Sequence, residues 1–146
     1  MSQHSIQQFL APYFDGLDND EMSFLMDEIV KEAVSNFCTI LAGKLNEFGG
    51  TLDDVGYYQG WALREIYLSA LLFPATDELE ENFDVAIDIN RVYDNIDLFV
   101  WNNESFKSAL LNDILEDYEA VYDMLMELGV SAEEEDREEE RIDKQL

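Results

Sequence analysis

Carboxylates are the chemically active groups this chain carries in quantity. Its 146 residues hold 34 Asp and Glu against 8 Lys and Arg, a formal net charge of -26. Carboxylates serve as acid–base pairs, as metal ligands or as plain charge, and the residues around them separate these roles. Most acid–base and nucleophilic schemes recruit a histidine or an activated thiol. The chain has one histidine, His4, expected at a frayed end, and one cysteine, Cys38. Cys38 lies in the apolar run Phe37-Cys38-Thr39-Ile40-Leu41 and reads as a buried free thiol, with a reactive role as the alternative. With so few nitrogen and sulfur ligands, neither a zinc site nor a carboxylate-plus-histidine di-iron pattern is expected. The acids from Asp15 to Asp27 lack the glycine and glutamate spacing of a calcium loop. Gly56 and Gly60 are followed by no lysine and do not make a phosphate loop. Carboxylate pairs of the glycosidase kind leave no distinguishing signature among so many acids. The expectation is a chain without enzymatic activity, metal or cofactor.

What remains is charge itself. A net charge of magnitude roughly 2–8 keeps a small domain soluble. Beyond that, self-repulsion destabilises the compact state, at about 0.2–0.5 kcal/mol for each like pair one helical turn apart. The scattered Lys and Arg offer no basic patch, which excludes nucleic acid and anionic membranes as direct partners and points to a basic protein. Residues 1–130 alone hold 26 acids and 5 bases, so the imbalance does not come from the Glu-rich end. The acids cluster at 15–32, 77–97 and 113–127, and are sparse from 33 to 76. The candidate partner-binding residues are Asp77, Glu78, Glu80, Glu81, Asp84, Asp88, Asp94 and Asp97, together with Asp113, Glu116, Asp117, Asp123 and Glu127. Many lie three or four residues apart, hence about 5–6 Å from each other on a helix. That is of the order of the phosphate spacing along a DNA strand, whose rise is ~3.4 Å per residue. Solvated faces of amphipathic helices are the alternative reading.

The elements that must position these acids read as helices. Apolar residues make up 47% of the chain and aromatic ones 12%, enough for a core rather than a disordered polyanion. A short segment at 5–14 is interrupted by Pro12, and 15–18 reads as a turn. Asp18 or Asn19 caps a long helix with an apolar stripe from Met22 to Phe48, closed by Gly49-Gly50. A second helix is expected at 53–73, largely buried and stopped by Pro74. On it, Tyr57, Tyr58 and Trp61 read first as core, and alternatively as an aromatic patch at a dimer or partner interface. Residues 83–90 fit both strand and helix periods; helix is favoured because a lone strand has no partner. A last helix at 104–128 ends at Gly129. The expected fold is all-α, a compact bundle of about four to five helices at 1–130 with a Glu-rich C-terminal extension at 131–146, where Ser131 and Glu134 fit a capping box. No apolar run approaches the ~20 residues of a membrane helix, and no signal peptide is evident, so the expected compartment is the cytoplasm.

In its acidity, its helical carboxylate spacing and its Glu133–Glu140 run, the chain resembles the phage and plasmid antirestriction DNA mimics of the Ocr type. It departs from them in its nearly acid-free middle and its aromatic content. The resemblance implies a helical cytoplasmic inhibitor, typically a homodimer, that occupies the DNA-binding surface of a restriction, CRISPR or similar defence protein. Two other functions fit the same charge. One is an immunity protein or antitoxin against a basic nuclease, with hot spots at Tyr57, Tyr58, Trp61 or Trp101; the other is an acidic adaptor or chaperone for a basic protein.

Overall fold

The computed structural model describes residues 4–99 and 103–132, with side chains described for 4–96 and 103–132. All regular structure among them is helical. In chain order the elements are α1 (Gln7–Leu10), a 3-10 turn (Ala11–Phe14), α2 (Asn19–Phe48), a second 3-10 turn (Leu52–Asp54), α3 (Val55–Arg64), α4 (Leu68–Phe83), α5 (Ile89–Phe99), α6 (Glu104–Ile114) and α7 (Tyr118–Glu127). No described helix is long and apolar enough to cross a membrane. The Glu-rich segment 133–146, with its expected capping partner Glu134, lies outside the described residues.

The seven α-helices among the described residues exceed the expected four to five because two long ones are each broken. The helix expected at 53–73 divides at 65–67. There the N–H groups of Glu65 and Ile66 donate to carbonyls three residues back, and Tyr67 turns extended. The helix expected at 104–128 divides at 115–117, where Asp117 caps α7 by accepting from the Ala120 N–H at 3.2 Å. Neither break contains glycine or proline.

Pro74, the expected stop, lies inside α4. A proline there removes the bond to the carbonyl of residue 70 and costs about 3 kcal/mol. Leu71, Leu72, Ala75 and Leu79 flank it and are fully buried. Burying one large apolar side chain is worth about 1.5–3 kcal/mol, so the packing of this turn outweighs the proline. The helix favoured at 83–90 is also corrected. Asp84 adopts a left-handed conformation (φ 52°), its N–H donates to the Glu80 carbonyl, and 84–88 is an irregular link. Glu80 holds that link by accepting from the Ile87 N–H at 3.1 Å.

Other termini follow the sequence signals. Asp18 and Glu21 form a reciprocal cap, each side chain accepting the other's N–H, at 2.8 and 2.9 Å. Gly49 (φ 71°) ends α2, with the Gly50 N–H donating to the Leu45 carbonyl at 2.7 Å. Gly129 (φ 95°) ends α7, with the Val130 N–H donating to Leu125 at 3.0 Å.

The chain forms two compact units. The first, from 1–35 and 67–116, buries Ile6, Leu10 and Phe14, the Leu25–Ala33 stripe of α2, the apolar face of α4, Ile96, and Phe106, Leu110 and Ile114 of α6. Within it α5 packs on α4, where the Phe73 and Tyr93 rings lie 5.9 Å apart, and Phe9 meets Phe106 edge-on at 5.7 Å. The second, from 36–66 and 117–146, buries Phe37, Cys38, Leu41 and Leu45 of α2, Val55, Ala62 and Leu63 of α3, and Val121 and Leu125 of α7. Here the Leu52 N–H donates to the Ser131 carbonyl at 3.0 Å.

Candidate functional site

The carboxylates divide by what their oxygens already do. On α4, Asp77, Glu78 and Glu81 are exposed opposite the buried Ala75, Thr76 and Leu79. They occupy the C-terminal half of the helix, whose last turn has no basic residue. The helix dipole places partial negative charge in the last turn, which opposes Glu81 by about 0.3–1 kcal/mol at low salt. Asp77 and Glu78 lie one turn earlier and repel Glu81 as like charges four and three residues away, by about 0.2–0.5 kcal/mol for each pair. Glu80 is half-buried and spent on the Ile87 N–H. Asp84 is exposed beyond the helix end, and Asp94 is exposed on α5. Asp88 is exposed and caps α5 through the Arg91 N–H at 3.3 Å. Asp97 has no described side chain.

The row expected from Asp84 through Asp88 to Asp94 is therefore not one helical face. The left-handed turn at Asp84 and the link to α5 interrupt it. The row from Asp113 to Glu127 is likewise divided at 115–117, with Asp123 and Glu127 exposed on α7 and Asp117 at its cap. Asp77, Glu78, Glu81, Asp84, Asp94, Asp123 and Glu127 form no ion pair among the described residues.

Asp113 does not belong to any surface. It is only 4% exposed, and its two oxygens accept from the backbone N–H groups of Ser5 at 2.8 Å and Ile6 at 2.9 Å. A buried carboxylate needs such donors to offset its lost hydration. Asp113 thus anchors the N-terminal segment and is withdrawn from the partner-binding candidates. His4 is corrected with it. Rather than fraying, its ring is 20% exposed and lies 2.6 Å from Asp27 Oδ1 and 4.0 Å from Glu116 Oε2.

The middle of the chain departs most from expectation. On α3, Tyr57 is 82% and Trp61 40% exposed, and Phe48 at the end of α2 is 51% exposed. Phe48 stacks on Tyr58 with centroids 6.0 Å apart and meets Trp61 at 5.8 Å, while Tyr57 stands edge-on to Tyr58 at 4.8 Å. Lys44 Nζ lies 4.1 Å from the Trp61 ring centroid and 3.0 Å from Glu65 Oε1. This is a surface aromatic patch with a cation on its face, not core. Phe48 and Lys44, one helical turn apart on α2, join Tyr57, Tyr58 and Trp61 in the patch, although nothing in their sequence spacing ties them to α3.

An open cleft lined by Tyr13, Leu17, Val85 and Ile87 contains one carboxylate, Asp15, and pairs no nucleophile with a base. Burial pushes the Cys38 thiol up from 9.0 to about 11, which disfavours the nucleophilic thiolate. The chain matches no protein-family model, no curated protein and no solved structure.

Proposed function

We propose that the protein is a non-catalytic acidic inhibitor that occupies the DNA-binding surface of a basic DNA-processing or defence protein. The observation carrying this reading is the carboxylate group Asp77, Glu78 and Glu81. It is exposed, makes no ion pair among the described residues, and carries its own like-charge repulsion, to which the helix dipole adds at Glu81. No ion pair among the described residues offsets that cost, whereas a groove of Lys and Arg would. Such a groove would also release counterions on binding, as it does on DNA. Asp84 and Asp94 of the same unit extend the charge, and Asp123 and Glu127 of the second unit repeat the arrangement on α7, whose last turn also lacks a basic residue.

The aromatic patch supports a second reading, an immunity protein or antitoxin whose affinity is concentrated in Tyr57, Tyr58 and Trp61. One experiment separates the two. Nuclease-treated lysate is passed over the immobilised protein and eluted with salt, alongside a Lys variant at positions 77, 78, 81 and 94 and a Trp61→Ala variant. A DNA-processing complex that is displaced by added duplex DNA and lost with the charge-reversed variant supports the inhibitor. A small nuclease that DNA does not displace and that Trp61→Ala loses supports immunity. Many basic proteins eluting together at modest salt would leave only a generic polyanion and defeat both.

A further inference from the structure

We propose that His4, Asp113 and Glu116 form a binding site for one divalent transition-metal ion of the zinc class. Their ligand atoms, one from each residue, all lie within 4.8 Å of one another. Exposed acids alone would not justify the assignment, because this chain has them everywhere. The histidine carries it.

His4 Nε2 lies 2.6 Å from Asp27 Oδ1. In a neutral ring the proton must then sit on Nε2, donated to Asp27, and the lone pair sits on Nδ1. Nδ1 is shielded from solvent and has no hydrogen-bond partner. Its charged neighbour Glu116 Oε2 is 4.0 Å away. A lone pair shielded from water and turned towards carboxylates is repelled by them unless something positive stands between. A proton on Nδ1 would remove the lone pair and make the ring a cation facing Glu116 across 4.0 Å, but it would leave the buried N–H without an acceptor, since such a bond closes at roughly 2.7–3.2 Å. A zinc-class ion would bond nitrogen and carboxylate oxygen at about 2.0–2.2 Å, which sets tetrahedral ligand atoms roughly 3.5 Å apart, so Glu116 Oε2 has to close by about half an ångström from its 4.0 Å.

The other two ligands suit the task. Asp113 is fixed by the Ser5 and Ile6 N–H groups, and each of its oxygens keeps a second lone pair. Glu116 is exposed and just past the end of α6, so its side chain can close on an ion. Asp27 on the far ring nitrogen is the carboxylate partner that metal-bound histidines usually have, fixing tautomer and ring orientation. One imidazole nitrogen with two carboxylates suits zinc and its transition-metal neighbours, whereas calcium takes six to eight oxygens and magnesium keeps its waters. A bound ion would tie the N-terminal segment to the end of α6 and offset the charge of Asp27, Asp113 and Glu116.

The test uses the full chain, freed of metal by chelation and titrated with zinc at neutral pH in excess magnesium, which fills loose acidic sites. Calorimetry is expected to show one ion per chain, weakened at least tenfold by His4→Gln or Glu116→Gln and about 10–100-fold by Asp27→Asn. Because His4 is the sole histidine, its ring protons give isolated NMR signals. One equivalent of cobalt should shift or broaden them completely. Circular dichroism confirms that each variant remains helical. Should zinc bind only as several weak sites displaced by magnesium, or His4→Gln bind as the parent does, the site does not exist.

Discussion

Replacing Asp113 should release the N-terminal segment without melting the rest of its unit. The carboxylate is 4% exposed and is the acceptor for two backbone donors, Ser5 N–H at 2.8 Å and Ile6 N–H at 2.9 Å. Asp113→Asn keeps one acceptor oxygen but turns an N–H2 group towards the other donor. Stranding one such donor costs about 1–3 kcal/mol. Asp113→Ala strands both, and recovers part of the loss because no carboxylate then has to be dehydrated. A net loss of about 2 kcal/mol corresponds to a roughly 30-fold shift in the local equilibrium. The segment is otherwise held by buried Ile6, Leu10 and Phe14, by the Phe9–Phe106 contact and by the His4–Asp27 and Asn112–Ser5 side-chain bonds, against a cost of about 1–2 kcal/mol for ordering each backbone residue. A deficit of about 2 kcal/mol makes undocking about 30-fold more frequent. Amide hydrogen exchange reads this directly. The amides of Phe9 and Leu10, both bonded to the Ile6 carbonyl, should exchange about 30-fold faster in Asp113→Ala, while those of α2 keep their rates. Acceleration below about threefold would show that Asp113 does not anchor the segment, since a 2 kcal/mol loss is worth far more.

Two glycines should respond in opposite directions. Gly43 is exposed within α2 and an added Cβ meets nothing within 4 Å, so Gly43→Ala should raise the urea midpoint by the equivalent of about 0.5–1 kcal/mol. Gly129 stands at φ 95°, so Gly129→Ala should lower it by about 1–3 kcal/mol although the added Cβ would make only an ordinary contact with the Asn46 side chain, at 3.8 Å. Cys38, fully buried, should resist a thiol reagent at pH 8 until the protein is unfolded. Its folded pKa is raised, so the folded state holds the proton more tightly than the unfolded one. The thiol's contribution to stability is complete below pH 9.0 and declines as pH rises through about 11. Urea titrations at pH 8 and 10.5 should show a steeper alkaline loss in the parent than in Cys38→Ala.

Local chemistry was enough to determine helix as the structural class, and the helix ends where a side chain or glycine acts on its own neighbours. Asp18 with Glu21, Gly49-Gly50 and Gly129 each close a terminus through bonds within six residues. The charge imbalance, too, is a property of composition. The breaks at 65–67 and 115–117 carry no local breaker, and the local breaker Pro74 is overridden by burial around it. Periodicity shows which residues share one face of a helix, but not what covers that face. So Tyr57 and Trp61, apolar and regularly spaced, are exposed, while Asp113, one acid among many, is buried. His4 and Asp113 meet across 109 positions of sequence, a separation at which spacing holds no information. Only the tertiary structure decides such meetings, because they depend on which surfaces the folded chain brings together and which backbone donors are left there to be satisfied.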